Sequence, residues 1–315
     1  MPDNLADVGE FGLIAAIADR LPQGKDVLVG PGDDAAVVVA PDGRVVATTD
    51  MLVELRHFRR DWSSAYDVGR KAAAQNLSDV VSMGAQPTAL LVALGAPPDL
   101  PVEWALSLAD GLRDESALVG ASVVGGDTVR SDAVVIAITA LGDLRGREPV
   151  TRAGARPGDR VAVCGRLGWA EAGLAVLSRG FRSPRALVEA HRRPEVPYQL
   201  ALDAVAAGGV TAMCDISDGL LADVGHIAEA SDVAVDIDPA GFEVPAPMRD
   251  FAAALGADPL HWILTGGDDN GFAATFAPGV AMPAGWRVVG TVSAGSGVTV
   301  EGKEYEGPGG HVHFG

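Results

Sequence analysis

Lysine is scarce in this chain of 315 residues: Lys25, Lys71 and Lys303 stand beside 21 arginines and 42 acidic residues, and the net charge is −18. Such a surface repels the nucleic-acid backbone and an anionic membrane, so partners of either kind are not expected. Cysteine is scarcer still. Cys164 and Cys214 lie far apart, with no Cys-x-x-Cys spacing and no histidine cluster, which argues against a zinc site or a disulfide framework and for two buried thiols. No apolar run reaches the ~20 residues of a membrane span. The acidic start "MPDNLADVGEFG" has no positive segment before an apolar block, so a signal peptide is not expected and the cytoplasm is the expected location. The usual nucleotide signatures are missing too. Around "QGKD", Asp19 stands where a phosphate-binding loop needs its first glycine, and Asp26 where it needs Ser or Thr. "CGRLGWAEAG" has the wrong glycine spacing for a dinucleotide loop, and an EF-hand begun at Asp236 would end on Pro247 instead of Glu.

The chain does have length enough for two domains, and 48% hydrophobic residues, mostly Ala and Val, to build their cores. Repeats are absent. The Gly/Arg/Pro-rich passage "LRGREPVTRAGARPGD" interrupts two strand-like segments and places a boundary near residue 150, giving domains 1–148 and 149–315. Before it, strand patterns at 35–39, 44–50, 88–95, 121–125 and 133–142 alternate with helical patterns at 64–83 and 102–118. After it come strands near 160–164, 211–214, 233–238, 271–276 and 286–292, with helices near 169–180, 184–192, 196–208 and 217–231. Both halves are expected to be α+β.

Acidic residues recur where these elements end. "GPGDDAAVVVAPDGRVVATTD" places Asp33 and Asp34 after a Gly-Pro-Gly turn and Asp50 at a strand end, while Asp42 in "PDGR" is expected in a hairpin turn. On the helix at 64–83, Lys71, Gln75 and Asp79 fall within about 80° of arc, and Asn76 lies roughly 60° from Asp79. "VVGGDTV" sets Asp127 after Gly125 and Gly126, where the absence of side chains would let a backbone approach a ligand. "CDISDGLLAD" is a strand-to-helix junction with Ser217 expected at the N-cap and Asp218 in the first turn, which leaves Asp215 unexplained. "LTGGDDNGF" adds Asp268 and Asp269. Taken singly, each is a turn or a cap. Five such turns across both halves point to a multi-metal phosphate site, because Mg²⁺ prefers oxygen ligands and keeps substrate phosphates in its shell.

The ordered set "GEFGLI", "GDDAA", "TTDML", "HF" at 57 and 58, "NLSD", "GGD", "TRAGARPGD", "DISDGL" and "GGDD" resembles the thiamine-monophosphate kinases, a branch of the aminoimidazole ribonucleotide synthetase-like superfamily of ATP enzymes. "GEFGLI" with "HF" favours the kinase branch. The resemblance implies a two-domain α+β fold of that superfamily, a homodimer in which N-terminal sheets pair, and ATP in a cleft between the domains. It implies Mg²⁺ ligands at Asp34, Asp50, Asp79, Asp127, Asp215 and Asp218, assisted by Thr48 and Thr49 through side-chain or backbone oxygens. Gly126, Asp127, Arg152 and Ser217 match ATP-contacting positions, and His57 and Asp268 match contacts to the thiamine phosphate.

Two departures stand out. The family's Gly-Gly-Glu-Asp-aromatic is Gly266-Gly267-Asp268-Asp269-Asn270 here, so the substrate-facing acid is one methylene shorter and an aromatic is lost; the usual C-terminal Gly-Trp is replaced by a tail with His311 and Phe314. Both bear on the acceptor. The implied reaction is transfer of the ATP γ-phosphoryl to thiamine monophosphate, giving thiamine diphosphate and ADP. A phosphate acceptor is already ionised, so no strong general base is needed; charge neutralisation by Mg²⁺ and Arg152 carries the reaction. The alternatives are another ATP-dependent enzyme of the superfamily and a non-catalytic nucleotide-binding relative.

Overall fold

Sheets with helices laid against them form in both halves of the chain, as the alternating apolar patterns predict. The computed structural model describes residues 4–31, 36–306 and 309–311. Asp33, Asp34 and Phe314 lie outside the described residues. The chain divides into two units, Met1–Val80 with Ala85–Arg147, and Val81–Gly84 with Glu148–Gly315. Among the described residues no helix is long and apolar enough to cross a membrane.

The first unit contains α1 (Leu5–Ala18), β1 (Val27–Val29), β2 (Val37–Val38), β3 (Val46–Val53), α2 (Ala65–Ser82), β4 (Gln86–Ala96), α3 (Val102–Ala117), β5 (Ser122–Arg130) and β6 (Val135–Asp143). Four strands pair in the order β3-β6-β4-β5, with β4 and β5 parallel and the other pairs antiparallel. The turn at Asp42 does form: its carboxylate accepts from the Arg44 N–H at 3.0 Å. It is not a hairpin turn, however, because β2 pairs with β1 and β3 with β6. Alternation along β3 puts Thr48, Asp50 and the buried Leu52 on one face, and Ala47, Thr49 and Met51 on the exposed other.

Helices α2 and α3 cross with their backbones in contact. A Cβ on Gly69 would stand 2.2 Å from the Leu108 carbonyl oxygen, and one on Gly111 2.2 Å from that of Tyr66. Beside the crossing, Arg70 pairs with Glu115, whose side chain is buried, and the Tyr66 hydroxyl donates to Asp114 at 2.9 Å. This contact holds α2, and therefore Asn76 and Asp79, at a fixed height above the sheet.

The second unit contains β7 (Arg160–Cys164), α4 (Trp169–Ser178), α5 (Arg185–Arg192), α6 (Tyr198–Ala207), β8 (Val210–Ile216), α7 (Leu220–Ser231), β9 (Ala234–Ile237), α8 (Ala246–Leu255), α9 (Pro259–Thr265), β10 (Gly271–Phe276), β11 (Arg287–Ser293) and β12 (Gly297–Val300). The six strands run β12-β9-β11-β7-β10-β8, all antiparallel except β12 with β9. Every residue of β10 is buried, including Thr275, whose hydroxyl pairs with that of Thr211 at 2.6 Å. Phe272 pairs with Cys164 on β7 and with Asp215 on β8, so the loops after β7 and β8 and the loop before β10 share one end of the sheet. The two cysteines are free and buried, as expected.

At that end α4 begins on Gly168, which has φ +75° and no capping side chain of its own. The cap comes from the loop before β10. Asp269 accepts from the backbone N–H of Gly168 and, at 2.8 Å, from that of Ala170. This places a carboxylate at the positive end of the helix while removing it from water. Burial pushes the Asp269 carboxyl up to about 8, against the two N–H bonds that favour its charged form.

Two stability outcomes follow from these contacts. Gly111→Ala forces α2 and α3 apart and lowers unfolding free energy by about 1–3 kcal/mol. Gly225→Ala, in α7, meets only Val298 at 4.0 Å and leaves stability unchanged or raised. Urea denaturation checks both signs. For Asp269 the folded value lies above the ordinary carboxyl value of 3.8, so the folded state holds the extra proton between those limits. Its contribution to stability is full below pH ~4 and is lost as pH rises through about 8, with a slope of at most about 1.4 kcal/mol per pH unit. Asp269→Asn is less stable at low pH and lacks that slope in denaturation midpoints taken from pH 5 to 9.

Candidate functional site

In the first unit, strand β3 and helix α2 bring a polar group together. The Thr48 hydroxyl donates to Asp79 at 2.7 Å, and the backbone N–H of Asp50 donates to the Asn76 side-chain oxygen at 3.0 Å. Asn76 is itself held by its amide, which donates to the Ala72 carbonyl at 3.0 Å. The polar stripe expected on α2 is therefore turned toward the strand, with Asn76 buried and Asp79 half-buried. Lys71, from the same stripe, is buried and reaches the His57 carbonyl.

Thr49 points away from this group. Its hydroxyl donates to the Ile138 carbonyl at 2.9 Å on the opposite face, which leaves only its backbone near Thr48 and Asp50. Asp127 lies on β5, the far edge of the sheet, so that three strand spacings, about 14 Å, separate its strand from β3. It is exposed and accepts from the Thr128 N–H at 2.9 Å. No one ion bridges carboxylates at that separation. Gly126 has a close backbone neighbour, as its sequence suggests, but that neighbour belongs to the protein: an added Cβ would lie 1.8 Å from the Val92 carbonyl oxygen of β4.

His57 follows β3 in a turn that includes Leu55 at φ +67°. Its Nδ1 accepts from the Val53 N–H at 2.9 Å, so a neutral ring carries its proton on Nε2. A ring fixed in this way presents an N–H donor of the kind a phosphate oxygen accepts.

In the second unit two acidic loops are joined main chain to main chain. The Asp268 N–H donates to the Ser217 carbonyl at 2.8 Å, and the Asn270 N–H to that of Ile216 at 3.0 Å. A Cβ on Gly267 would lie 2.5 Å from the Ser217 oxygen, and one on Gly219 2.5 Å from the Thr265 oxygen. Asp268 and Asn270 hold φ of +66° and +49°, a left-handed backbone that Asp and Asn tolerate better than most residues. Asp215 is buried at the end of β8, and Ser217 and Asp218 are partly exposed beyond it.

Ser217 is not the cap of α7. The N-cap is Gly219, at φ +124°, and the orphan N–H groups of Asp218 and Gly219 are taken by Asp223, each at 3.1 Å. Sequence reading missed Asp223, although an acid four residues past the glycine of "SDGLLAD" is a recognisable reach-back cap. Burial, and then the Asp218 carboxylate beside it, push the Asp223 carboxyl up to about 7. Asp268 and Asp269, adjacent in sequence, have separate duties: Asp269 caps α4, while Asp268 is partly exposed at the loop surface.

The exposed Arg152 precedes β7 on a loop pinned from α7. The Ser231 hydroxyl donates to the Arg152 carbonyl at 2.8 Å and accepts from the N–H groups of Gly154 and Ala155 at 3.1 Å. Thr151 accepts from the Met213 N–H at 3.2 Å, which sets Arg152 beside the strand that leads to Asp215. Among the described residues no three His, Cys, Asp or Glu side chains gather as a metal cage. The donors are nevertheless hard oxygens in small groups, which suits Mg²⁺, an ion bound by one or two carboxylates together with substrate phosphates and water.

The chain was compared with known proteins on sequence and on fold. AIR synthase related protein, N-terminal domain, matches residues 32–144, and its C-terminal domain matches residues 156–278. A thiamine-monophosphate kinase of Mycobacterium tuberculosis is 47% identical over 317 residues, covering 99% of this chain and 93% of that protein. Among solved structures, thiamine-monophosphate kinase from Stenotrophomonas maltophilia K279a aligns with a TM-score of 0.83 at 31% identity, over 94% of this chain and 98% of that one. AaThiL complexed with AMPPCP and TMP aligns at 0.81 with 33% identity, covering 98% of each chain. With 47% identity sustained over 99% of its residues, and both domains matched, the chain belongs to the thiamine-monophosphate kinase family.

Proposed function

We propose that this chain carries out the reaction of its family, the ATP-dependent phosphorylation of thiamine monophosphate to thiamine diphosphate. The observation that carries the reading is the group built by Thr48, Asp50, Asn76 and Asp79 in a chain so similar to these kinases. A phosphate oxygen of the acceptor attacks the γ-phosphorus of ATP, the bond to the β-phosphate oxygen breaks, and ADP leaves. Asp34, Thr48, Thr49, Asp50, Asp79, Asp127, Asp215 and Asp218 would hold Mg²⁺ in more than one site, and the ions would supply the charge neutralisation that lets two anions meet. Thr48 and Asn76 set the rotamer of Asp79 and the backbone of Asp50 before substrate arrives, which lowers the cost of ordering them.

ATP is bound by Gly126, Asp127, Arg152 and Ser217. Arg152 adds a charge-assisted contact to its phosphates from a loop whose backbone is already fixed by Ser231. His57 donates from Nε2 to the acceptor phosphate, and Asp268 faces the thiamine moiety. The domain at 1–148 holds ATP and metal, and the domain at 149–315 completes the cleft.

The protein is a homodimer in which N-terminal sheets pair. The support lies in the first unit: Met51, Leu91 and Val129 are 52%, 38% and 58% exposed, and β3 and β5 are the outer strands of the four-stranded sheet. Monomers seldom leave such strands uncovered.

The purified protein is expected to form thiamine diphosphate from ATP and thiamine monophosphate only when Mg²⁺ is present. Asp79→Asn keeps the hydrogen-bonding shape and removes the charge, and should lower kcat by about 10²-fold or more, the scale seen when one charge-stabilising group is lost. Binding of both substrates without product would sink the reading. Light scattering at micromolar concentration should return twice the chain mass of 32.2 kDa. A monomer there would rule the sheet pairing out.

A further inference from the structure

Beside the loop at Gly266–Asp268 lies a carboxylate that no reading above has used. Glu171 stands in the first turn of α4, partly buried. A Cβ on Gly266 would fall 2.7 Å from its Cβ and 3.4 Å from its Cγ, so its stem runs along the first residue of that loop. Asp268, His261 and His311 are the charged and titratable groups that act on it. No hydrogen bond or ion pair reaches Glu171 among the described residues. His261, whose Nδ1 lies 2.7 Å from the Tyr305 hydroxyl, sits under a stacked Tyr305 ring at the same edge. The tail closes over the neighbouring loop through the His311 N–H, which donates to the Asp218 carbonyl at 2.9 Å.

A half-buried carboxyl beside a second acid is costly unless a donor arrives to meet it. Two buried acids beside these loops have such donors: Asp269 has two N–H groups and Asp223 has two. Glu171 has none among the described residues, and Asp268 beside it is one methylene shorter than the acid its family carries. The aminopyrimidine ring of thiamine offers what is missing, an edge on which a ring nitrogen and an exocyclic amine stand side by side. A neutral carboxyl matches both, its hydroxyl donating to the nitrogen and its carbonyl accepting from the amine.

We propose that Glu171 recognises the aminopyrimidine ring of the acceptor, supplying the reach that Asp268 lacks and making it a specificity-determining residue. The inference rests on the acceptor being thiamine monophosphate. Burial first, and then the Asp268 carboxylate, raise the Glu171 carboxyl, while His261 and His311 pull it down, which favours the protonated form that this edge requires.

The test measures binding of thiamine monophosphate to the full-length protein by calorimetry, with Mg²⁺ and a non-hydrolysable ATP analogue present. Alongside it runs the same phosphate with the pyrimidine amine replaced by oxygen. Glu171→Ala should weaken thiamine monophosphate at least tenfold, leave the affinity for the ATP analogue within twofold, and shrink the preference for the amine over oxygen to under threefold. Glu171→Gln, which keeps one donor and one acceptor, should come within threefold of wild type. Either variant alone can decide, so failure of one to fold leaves the other. Unchanged affinity and preference in the Ala variant, or a Gln variant as defective as Ala, overturns the role of Glu171. If wild type itself does not bind thiamine monophosphate, the functional reading fails instead, and the recognition falls with it.

Discussion

Two main-chain hydrogen bonds, from Asp268 to Ser217 and from Asn270 to Ile216, govern the chemistry-bearing end of the second unit. They tie the loop after β8 to the loop before β10 without using a side chain. Each such bond adds only about 1 kcal/mol of net stability, yet a buried backbone group left unpaired would cost more than that. The arrangement requires Gly267, because the carbonyl it passes leaves no room for a Cβ, and it places Asp268 and Asn270 in a left-handed backbone. Acids are thereby presented at a loop surface while the backbone beneath them is fixed.

The same division between backbone scaffold and working side chain recurs in the first unit. There the scaffold is the contact of α2 and α3 through Gly69 and Gly111, and the side chains it carries toward β3 are those of Asn76 and Asp79. Arg70 with Glu115 and Tyr66 with Asp114 place charge and hydrogen bonds around a crossing that has no side-chain bulk at its centre. On its other side α2 lies near enough to β3 for a short residue such as Thr48 to reach Asp79 directly. With a longer helix-to-sheet distance, a water would have to stand between them.

Much of this was legible in the sequence. Helices α2 and α3, and strands β7 and β10, follow from periodicity within a residue or two, since their apolar faces are unbroken. Helix α1 was not legible because Gly9 sits inside it with φ +70°, and a glycine-interrupted acidic segment carries no helical stripe. The short α8 and α9 were hidden by prolines at their starts, which read as loop although Pro suits a first helical turn. Acid-bearing turns were visible as a set, but the duties of their members were not. A sequence places Asp268 and Asp269 side by side; only the approach of α4 separates a cap from a surface acid. Likewise, strand alternation parts Thr49 from Thr48, and sheet order moves Asp127 to the opposite edge from Asp50.

Two acids of the second unit stand at helix starts in dry surroundings. Asp269 and Asp223 each satisfy the start of a helix, and the protein uses burial to hold both carboxyls near neutrality in their proton affinity. A helix N-terminus favours the charged form, whereas a dry surrounding favours the neutral one, and for both groups the second effect is the larger. Asp218 is the neighbour whose charge raises Asp223 further. Any cation that settles on Asp218 weakens that repulsion and lowers the proton affinity of Asp223. The start of α7 is thus electrostatically coupled to occupancy of the loop in front of it. The hydrogen bonds from Asp218 and Gly219 to Asp223 are strongest when that carboxyl is ionised. A loop built this way tightens as positive charge arrives.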